Sequence, residues 1–169
     1  MKRIIRTLLL LTILFGAWTL FCSAEKVVIS KQKLSVDGKA VKCEVYNIDG
    51  SNYFKLRDLA QLLDGTEAQF SITWDEKLQT ITIQSAKPYE PVGGELEIGS
   101  DKSATAKRSG QSILINGKTA DNLTAYNIGG NNFFRLTQLA GWLYFNVDYN
   151  EAADMVSIVS EQRTGCETC

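Results

Sequence analysis

Residues 46–60 read Tyr-Asn-Ile-Asp-Gly-Ser-Asn-Tyr-Phe-Lys-Leu-Arg-Asp-Leu-Ala, and residues 126–140 read Tyr-Asn-Ile-Gly-Gly-Asn-Asn-Phe-Phe-Arg-Leu-Thr-Gln-Leu-Ala. Nine of the fifteen positions are identical, and two more exchange Tyr for Phe and Lys for Arg. The correspondence continues upstream, where residues 35–39 align with residues 114–118, and downstream through two further alternating stretches. A match of this length and order indicates an internal duplication.

Each copy predicts the same order of secondary-structure elements. Asp37-Gly38 and Asn116-Gly117 are two-residue hairpin turns that join alternating strands. A second turn follows at Asp49-Gly50 and at Gly129-Gly130. Apolar residues spaced i, i+3, i+4 and i+7 then predict a short amphipathic helix in each copy: Leu56, Leu59, Ala60 and Leu63 in the first, and Leu136, Leu139, Ala140 and Leu143 in the second. Two alternating strands complete each unit.

We therefore expect an α+β protein with two tandem copies of a small module, each a short antiparallel sheet with one amphipathic helix in a ββαββ-like order. The first module spans residues 25–87 and the second residues 111–160. Residues 88–110 form a linker rich in Gly and Pro, although a strand at residues 95–98 is an open alternative. Residues 161–169 form a polar tail that ends in a C-x-x-C motif.

The first 24 residues are typical of a secretory signal peptide. Lys2, Arg3 and Arg6 precede an apolar run at residues 8–21, and Cys22-Ser23-Ala24 offers small residues for cleavage. The apolar run has fourteen residues, fewer than the roughly 18 that a membrane-spanning helix needs. We expect a secreted, extracellular protein associated with the cell envelope, with no membrane span after signal cleavage.

Composition excludes several function classes. The mature chain carries 15 basic and 19 acidic residues, a formal charge of −4, which does not favour nucleic-acid binding. The chain contains no histidine, and this removes the commonest general base and the commonest metal ligand. This leaves only sites built from carboxylates, Lys or Cys, and because the sequence shows no catalytic constellation of them we expect no catalytic residues, no cofactor and no metal site.

The repeated core, Tyr-Asn-Ile-x-Gly-x-Asn-Tyr/Phe-Phe-Lys/Arg-Leu, resembles the stalk-domain family, which is named for its similarity to the N-terminal domain of copper amine oxidases. In the first copy the core continues into Arg57-Asp58-Leu59-Ala60, a further signature of that family. The connector at residues 87–96 is similar to those that join paired modules in secreted proteins of Gram-positive, Clostridia-like bacteria. The resemblance implies non-catalytic appendages of exported enzymes, and not oxidase chemistry.

The three cysteines of the mature chain predict different roles. Cys43 lies on the apolar face of a strand, where the second copy has Leu123, and we expect a buried core thiol. Cys166 and Cys169 form the terminal C-x-x-C, for which a disulfide is the leading interpretation in an oxidising exterior. A metal-binding thiol pair or an intermolecular link is the alternative.

Comparison of the copies also separates aromatic and acidic residues with an expected structural role from candidates for a binding site. Trp74 alternates with Phe70 and Ile72 and corresponds to Tyr149, a pattern that predicts core packing. Asp75 corresponds to Asn150, which can serve a turn but not acid catalysis. Trp142 and Tyr144 have no aromatic counterparts in the first copy, so we expect them to form the surface binding site.

The sequence as a whole predicts an exported, non-catalytic binding or structural module of the cell envelope, and not an enzyme. Its expected partner is a cell-wall polymer, an envelope protein or a second copy of the chain. The alternative is a fragment or accessory part of a secreted cell-wall hydrolase or protease system whose site the sequence does not reveal.

Overall fold

The computed structural model describes residues 25–99 and 105–161. These residues form fifteen strands and two helices, with 45% of residues in strands and 12% in helices. The first copy contains β2 (Val28–Ile29), β3 (Lys33–Val36), β4 (Lys39–Val41), β5 (Val45–Ile48), β6 (Ser51–Lys55), α1 (Leu56–Leu63), β7 (Phe70–Asp75) and β8 (Thr80–Ser85), preceded by β1 (Glu25–Lys26). The second contains β9 (Thr105–Arg108), β10 (Ser112–Ile115), β11 (Lys118–Thr119), β12 (Ala125–Ile128), β13 (Asn131–Arg135), α2 (Leu136–Leu143), β14 (Asn146–Asn150) and β15 (Met155–Val159).

A seven-stranded sheet, in the order β1-β9-β12-β13-β6-β5-β2, occupies the centre of the molecule. Its last six strands form a half-barrel. The two copies meet where β13 pairs antiparallel with β6, and there Phe134 lies opposite its own repeat counterpart, Phe54. The copies are therefore related by an approximate two-fold axis that passes between these two residues.

Two four-stranded sheets flank the central sheet, and each takes one hairpin from each copy. In one sheet, β3 of the first copy pairs parallel with β15 of the second. In the other, β10 of the second copy pairs parallel with β8 of the first. Each four-stranded sheet therefore consists of the N-terminal hairpin of one copy and the C-terminal hairpin of the other.

The prediction of an α+β protein with two ββαββ modules was wrong, because the fold is mostly β and the copies exchange hairpins. Alternating apolar residues specify which face of a strand is buried, but they do not specify the neighbouring strand. A unit of about 60 residues buries only about 60% of the surface of its unfolded chain and is marginally stable alone. Exchange joins two such units, and the main hydrophobic core contains residues from both.

The strand that was expected to return from the first hairpin is broken in the structure. It divides into β4 and β5, which lie in different sheets, with Cys43 in the break. The backbone N–H of Glu44 leaves the sheet pattern and donates to Asp58 Oδ2 at 3.2 Å. The second copy repeats the contact, since the N–H of Thr124 donates to Gln138 Oε1 at 3.4 Å.

The hairpin turns and the helices agree with the sequence. Both residues of each predicted turn have positive φ, as type I′ turns require; Asp37 and Gly38, for example, have φ values of 47° and 76°. The buried residues of α1 include all four members of its predicted stripe, and Leu136, Leu139 and Leu143 are the buried residues of α2. Neither helix of the described ranges is long and apolar enough to span a membrane.

Residues 86–99 lie over the first copy and are here called the strap. The residues predicted as an alternative strand, 95–98, contain a turn instead. The strap is held by buried acids: the N–H of Leu96 donates to Asp58 Oδ1 at 2.9 Å, and the N–H of Gly99 donates to Glu44 Oε1 at 3.1 Å. The fold therefore uses Asp58 twice, once for the break between β4 and β5 and once for the strap.

Candidate functional site

The structure gives different environments to the two residues that were predicted to form a surface site. Trp142 is half-buried against the main core, and its Nε1–H donates to Asn122 Oδ1 at 3.1 Å. Tyr144 is 65% exposed and has a left-handed backbone with φ of 61°, which ends helix α2. Only Tyr144 therefore presents most of its ring to solvent.

The cysteine predictions are covered in part by the described residues. Cys43 is half-buried beside the main core, and burial, followed by the negative charges of Asp58 and Glu44, raises the pKa of its thiol to about 12. A thiol with such a pKa is almost entirely protonated near neutral pH and therefore a poor nucleophile. Cys166 and Cys169 lie outside the described residues.

Trp74 lies on the surface, and the prediction that it belongs to the core was wrong. Burial falls along strand β7 from Phe70, which is fully buried, to Trp74, which is 43% exposed. The alternation correctly placed the two rings on one face of the strand, but that face extends beyond the core. The indole makes no hydrogen bond within the described part of the chain.

Trp74 borders a groove with a volume of about 310 Å³, here called the Trp74 groove. One wall comes from β7 and β8, and the other from the end of β6, the start of α1 and the turn between β12 and β13. The lining residues are Lys55, Leu56, Arg57, Ile72, Thr73, Trp74, Ile81, Gln111, Gly130, Asn131 and Asn132. The groove thus combines an exposed aromatic ring with several amide side chains.

Two amide side chains in the lining have unused hydrogen-bonding capacity. Asn132 Oδ1 is buried and has no hydrogen-bond partner among the described residues. Gln111 accepts a hydrogen bond from Ser109 Oγ at 3.3 Å through Oε1, while its Nε2 makes no bond within the described ranges. Buried polar atoms are rarely left unpaired in proteins, so the unpaired Oδ1 of Asn132 is an unusual feature of a residue that lines the groove.

The two cations of the groove differ in their environment. Lys55 is buried, and its Nζ lies 3.3 Å from Asp58 Oδ1 and donates to the carbonyl of Gly94 at 2.6 Å. Arg57 is exposed and makes no ion pair or hydrogen bond within the residues described. The charge of Lys55 is therefore compensated within the fold, and that of Arg57 is available to solvent.

The two-fold relation of the copies produces a second groove of about 270 Å³, here called the Thr137 groove. It is lined by Ser51, Asn52, Phe54, Arg135, Leu136, Thr137, Val147 and Val156. Most of these positions correspond to positions in the Trp74 groove, so the pair of grooves provides an internal comparison. The differences between them show which features are required by the fold and which belong to one groove alone.

In the Thr137 groove, the side chains of Asn52 and Arg135 are bonded to residues outside the lining. Asn52 Oδ1 accepts hydrogen bonds from Ser30 Oγ and from Asn47 Nδ2, and Asn52 Nδ2 donates to Gln32. The guanidinium of Arg135 lies 5.4 Å from the centroid of the Tyr53 ring, and its Nε–H donates to Tyr53 Oη. The unpaired amide of Asn132 is thus a feature of the Trp74 groove and not of the repeated fold.

Tyr149, the counterpart of Trp74, does not line the Thr137 groove. Its hydroxyl donates to Asp154 Oδ1 at 2.9 Å, and this hydrogen bond raises the pKa of Tyr149. The ring is exposed but held within its own hairpin, whereas the indole of Trp74 has no such attachment. Of these two equivalent aromatic residues, only Trp74 lines one of the two grooves.

The acidic residue nearest to Trp74 in sequence has a structural role. Asp75 Oδ1 accepts hydrogen bonds from the N–H groups of Lys77 and Leu78, and Asn150 Oδ1 accepts one from Ala153 in the equivalent turn. The prediction that Asp75 is a turn residue is confirmed. Within residues 25–99 and 105–161, no three His, Cys, Asp or Glu side chains are grouped to hold a metal ion.

Comparison of the chain with protein-family models, with curated proteins and with solved structures finds no match. The resemblance to the stalk-domain family therefore stays a prediction that rests on the repeated motif. The assignment of the groove residues as a candidate site rests on the geometry alone. The sequence alone did not identify these residues as a site, because the unpaired state of Asn132 and the exposure of Trp74 depend on neighbours from other strands. The replacement of Arg57 by Thr137 in the second copy was a difference visible in the sequence.

Proposed function

We propose that this protein is an exported, non-catalytic module of the cell envelope that binds cell-wall glycan in the Trp74 groove. The observation that carries the proposal is the exposed indole of Trp74 at the edge of a groove whose lining includes Asn132, whose buried amide oxygen has no hydrogen-bond partner among the described residues. Export rests on the signal-like residues 1–24.

The lining of the groove suits a sugar better than an apolar ligand or a peptide strand. An aromatic ring offers a flat apolar face, and a few polar groups around such a face fix the orientation of a bound molecule. Sugar hydroxyls both donate and accept hydrogen bonds, so they can accept from Gln111 Nε2, and a rotation of the Asn132 amide toward the groove would let them donate to its Oδ1. The volume of about 310 Å³ lies at the small end of the range for ligand sites, which corresponds to one or two sugar rings of a longer chain.

The groove lining supports binding without catalysis. Its residues include no Asp, Glu, Cys or Ser, and glycoside hydrolysis generally needs two carboxyl groups on either side of the scissile bond. In the alternative function, the chain is an accessory part of a secreted hydrolase or protease system, and the groove would then hold the substrate polymer for a partner enzyme.

Sedimentation of the mature protein, residues 25–169, with purified bacterial wall sacculi tests this proposal. We expect the wild type to bind, and Trp74→Ala to weaken binding by about tenfold, since the loss of an aromatic contact of about 1.4 kcal/mol corresponds to that factor. Tyr149→Ala is the matched control, because it removes the repeat-equivalent ring from outside the groove, and it should bind as the wild type does.

A third variant separates the groove from the surface predicted from sequence. Tyr144→Ala removes an exposed ring at the end of helix α2. Loss of binding in Tyr144→Ala with normal binding in Trp74→Ala would move the site to that helix end and contradict the proposal. Equal binding by the wild type and an unrelated acidic protein would contradict wall binding altogether.

A further inference from the structure

The charges around the Trp74 groove are unbalanced. Its lining contains two basic residues, Lys55 and Arg57, and no acidic residue. The charge of Lys55 is compensated by Asp58, and both side chains of that pair are almost completely buried. The exposed guanidinium of Arg57 makes no ion pair within the described residues, although its charge partly opposes the rise that burial causes in the pKa of the Tyr89 hydroxyl in the strap, so it gives the groove one positive charge without an ion-pair partner.

The Thr137 groove lacks this feature although most of its lining positions are repeat equivalents of those in the Trp74 groove. The position equivalent to Arg57 is Thr137, and the only cation in that lining, Arg135, is occupied by the Tyr53 ring and hydroxyl. The free cation occurs in the same groove as the free aromatic ring of Trp74 and the unpaired oxygen of Asn132. Three independent differences between the copies thus coincide at one site.

We infer that the Trp74 groove selects a glycan that carries an anionic oxygen, with Arg57 binding the anion while a sugar ring lies against Trp74. This inference rests on the proposed function and specifies the chemical class of its ligand. The planar guanidinium presents parallel N–H donors that match the oxygens of a carboxylate or of a phosphate. Gln111 Nε2 then donates to an uncharged hydroxyl or amide oxygen of the same sugar, and a rotation of the Asn132 amide toward the groove would let its Oδ1 accept from another such group.

Two wall components share this chemistry, namely carboxylate-bearing sugars and phosphodiester-linked polymers. Both are present in untreated sacculi of Gram-positive type. Extraction with hydrofluoric acid removes the phosphodiester polymers, and amidation neutralises the carboxylates. The two treatments therefore identify which anion Arg57 binds, because binding should fall only after removal of the relevant group.

The decisive variants change the charge at residue 57. We expect Arg57→Gln to weaken binding to untreated sacculi by about fivefold, and Arg57→Lys to retain part of the affinity because a point charge replaces the planar fork. Lys39→Gln is the matched control, since it removes one positive charge from an exposed position on β4, outside the groove, and it should bind as the wild type does.

Salt dependence supplies a second measurement that a purely structural role of Arg57 would not change. Wild-type binding should weaken as salt rises from about 50 mM to about 300 mM, because added ions screen an exposed charge pair, and Arg57→Gln should lose most of that dependence. Melting temperatures of both variants should equal that of the wild type, since Arg57 is exposed and unpaired among the described residues.

The outcomes separate the two proposals. Unchanged binding in Arg57→Gln, together with loss in Trp74→Ala, would show a neutral glycan site and overturn this inference while the proposed function stands. Wild-type binding that neither hydrofluoric acid nor amidation lowers would also overturn it. No binding of the wild type to any preparation would overturn both.

Discussion

Asp37 binds Ser160 through both carboxylate oxygens, accepting the backbone N–H at 2.8 Å and the hydroxyl at 2.7 Å. The contact joins the first hairpin turn of one copy to the end of the last strand of the other. In the second copy, Asn116 makes the corresponding contact, accepting the N–H of Ser85 at 3.0 Å and donating to its hydroxyl at 3.0 Å. Each hairpin turn therefore fixes the strand end that the opposite copy supplies.

Loss of the Asp37 carboxylate should destabilise the exchanged sheet. We expect Asp37→Ala to lower the free energy of unfolding by about 1–3 kcal/mol, because hydrogen bonds to a charged acceptor are lost at a partly buried site. Asp37→Asn should cost less, since Asn occupies the equivalent turn at residue 116. Urea unfolding measures both. A loss below about 0.5 kcal/mol in Asp37→Ala, the range of ordinary surface substitutions, would contradict the role of this contact.

The two halves of the chain should not fold as separate monomers. A fragment of residues 25–99 contains β3–β4 and β7–β8 but lacks the strands that pair parallel with them. We expect neither this fragment nor residues 100–169 to unfold cooperatively alone, and we expect mixing to restore the circular dichroism and thermal transition of the whole chain. A cooperative, monomeric fragment would show that the exchange is not needed for stability.

Core substitutions at the two-fold axis should lower stability more than those elsewhere in the core. Phe54 and Phe134 lie opposite each other in the central strand pair and are both almost fully buried. Replacing either by Ala should cost about 3–5 kcal/mol, a large part of the 5–15 kcal/mol that stabilises a typical protein.

Leu78→Ala is the control for these core substitutions, because Leu78 is 70% exposed, and it should change stability by less than about 0.5 kcal/mol. Chemical denaturation gives all three values. Similar values for Phe134→Ala and Leu78→Ala would contradict the packing at the axis.

The strap should confer a pH-dependent contribution to stability. Burial alone would raise the pKa of Glu95, but hydrogen bonds from the Val92 N–H, the Tyr89 hydroxyl and the Gly93 N–H outweigh that effect and lower the pKa to about 2. The folded-state pKa is below the ordinary value of 4.5, so the stabilisation is complete above that value and is lost as pH falls toward 2.

Glu95→Gln should therefore have a lower melting temperature than the wild type near neutral pH, and the difference should shrink between about pH 4.5 and about pH 2. Glu97→Gln, which removes an equal charge from an exposed strap position, is the control and should show no such pH dependence. A difference for Glu95→Gln that is constant over this range would contradict the hydrogen-bonded carboxylate.

Local features of the fold were accessible from the sequence because they depend on near neighbours in the chain. Asp37-Gly38 and Asn116-Gly117 form type I′ turns since few residue pairs tolerate two positive φ values. The stripe that begins at Leu56 predicts its buried helix face through the 3.6-residue period alone.

The candidate site was less accessible. Sequence comparison assigned Trp74 to the core because it shares a strand face with Phe70, but the alternation of a strand does not show where the core ends. The side chains of Asn52 and Asn132 are identical in type and differ only in their neighbours, so their different bonding could not be read from the repeat. Trp142, expected on the surface, instead packs against the core.

By itself the sequence determined the duplication, the turns and the short helices, since each is encoded within a few residues. The tertiary structure alone decided that β3 pairs with β15 and β10 with β8, because strand partners are selected by total buried surface and not by local pattern. It also decided that Trp74 is exposed at the edge of a groove and that Asn132 Oδ1 is unpaired among the described residues, because those properties arise only when residues distant in the chain are brought together.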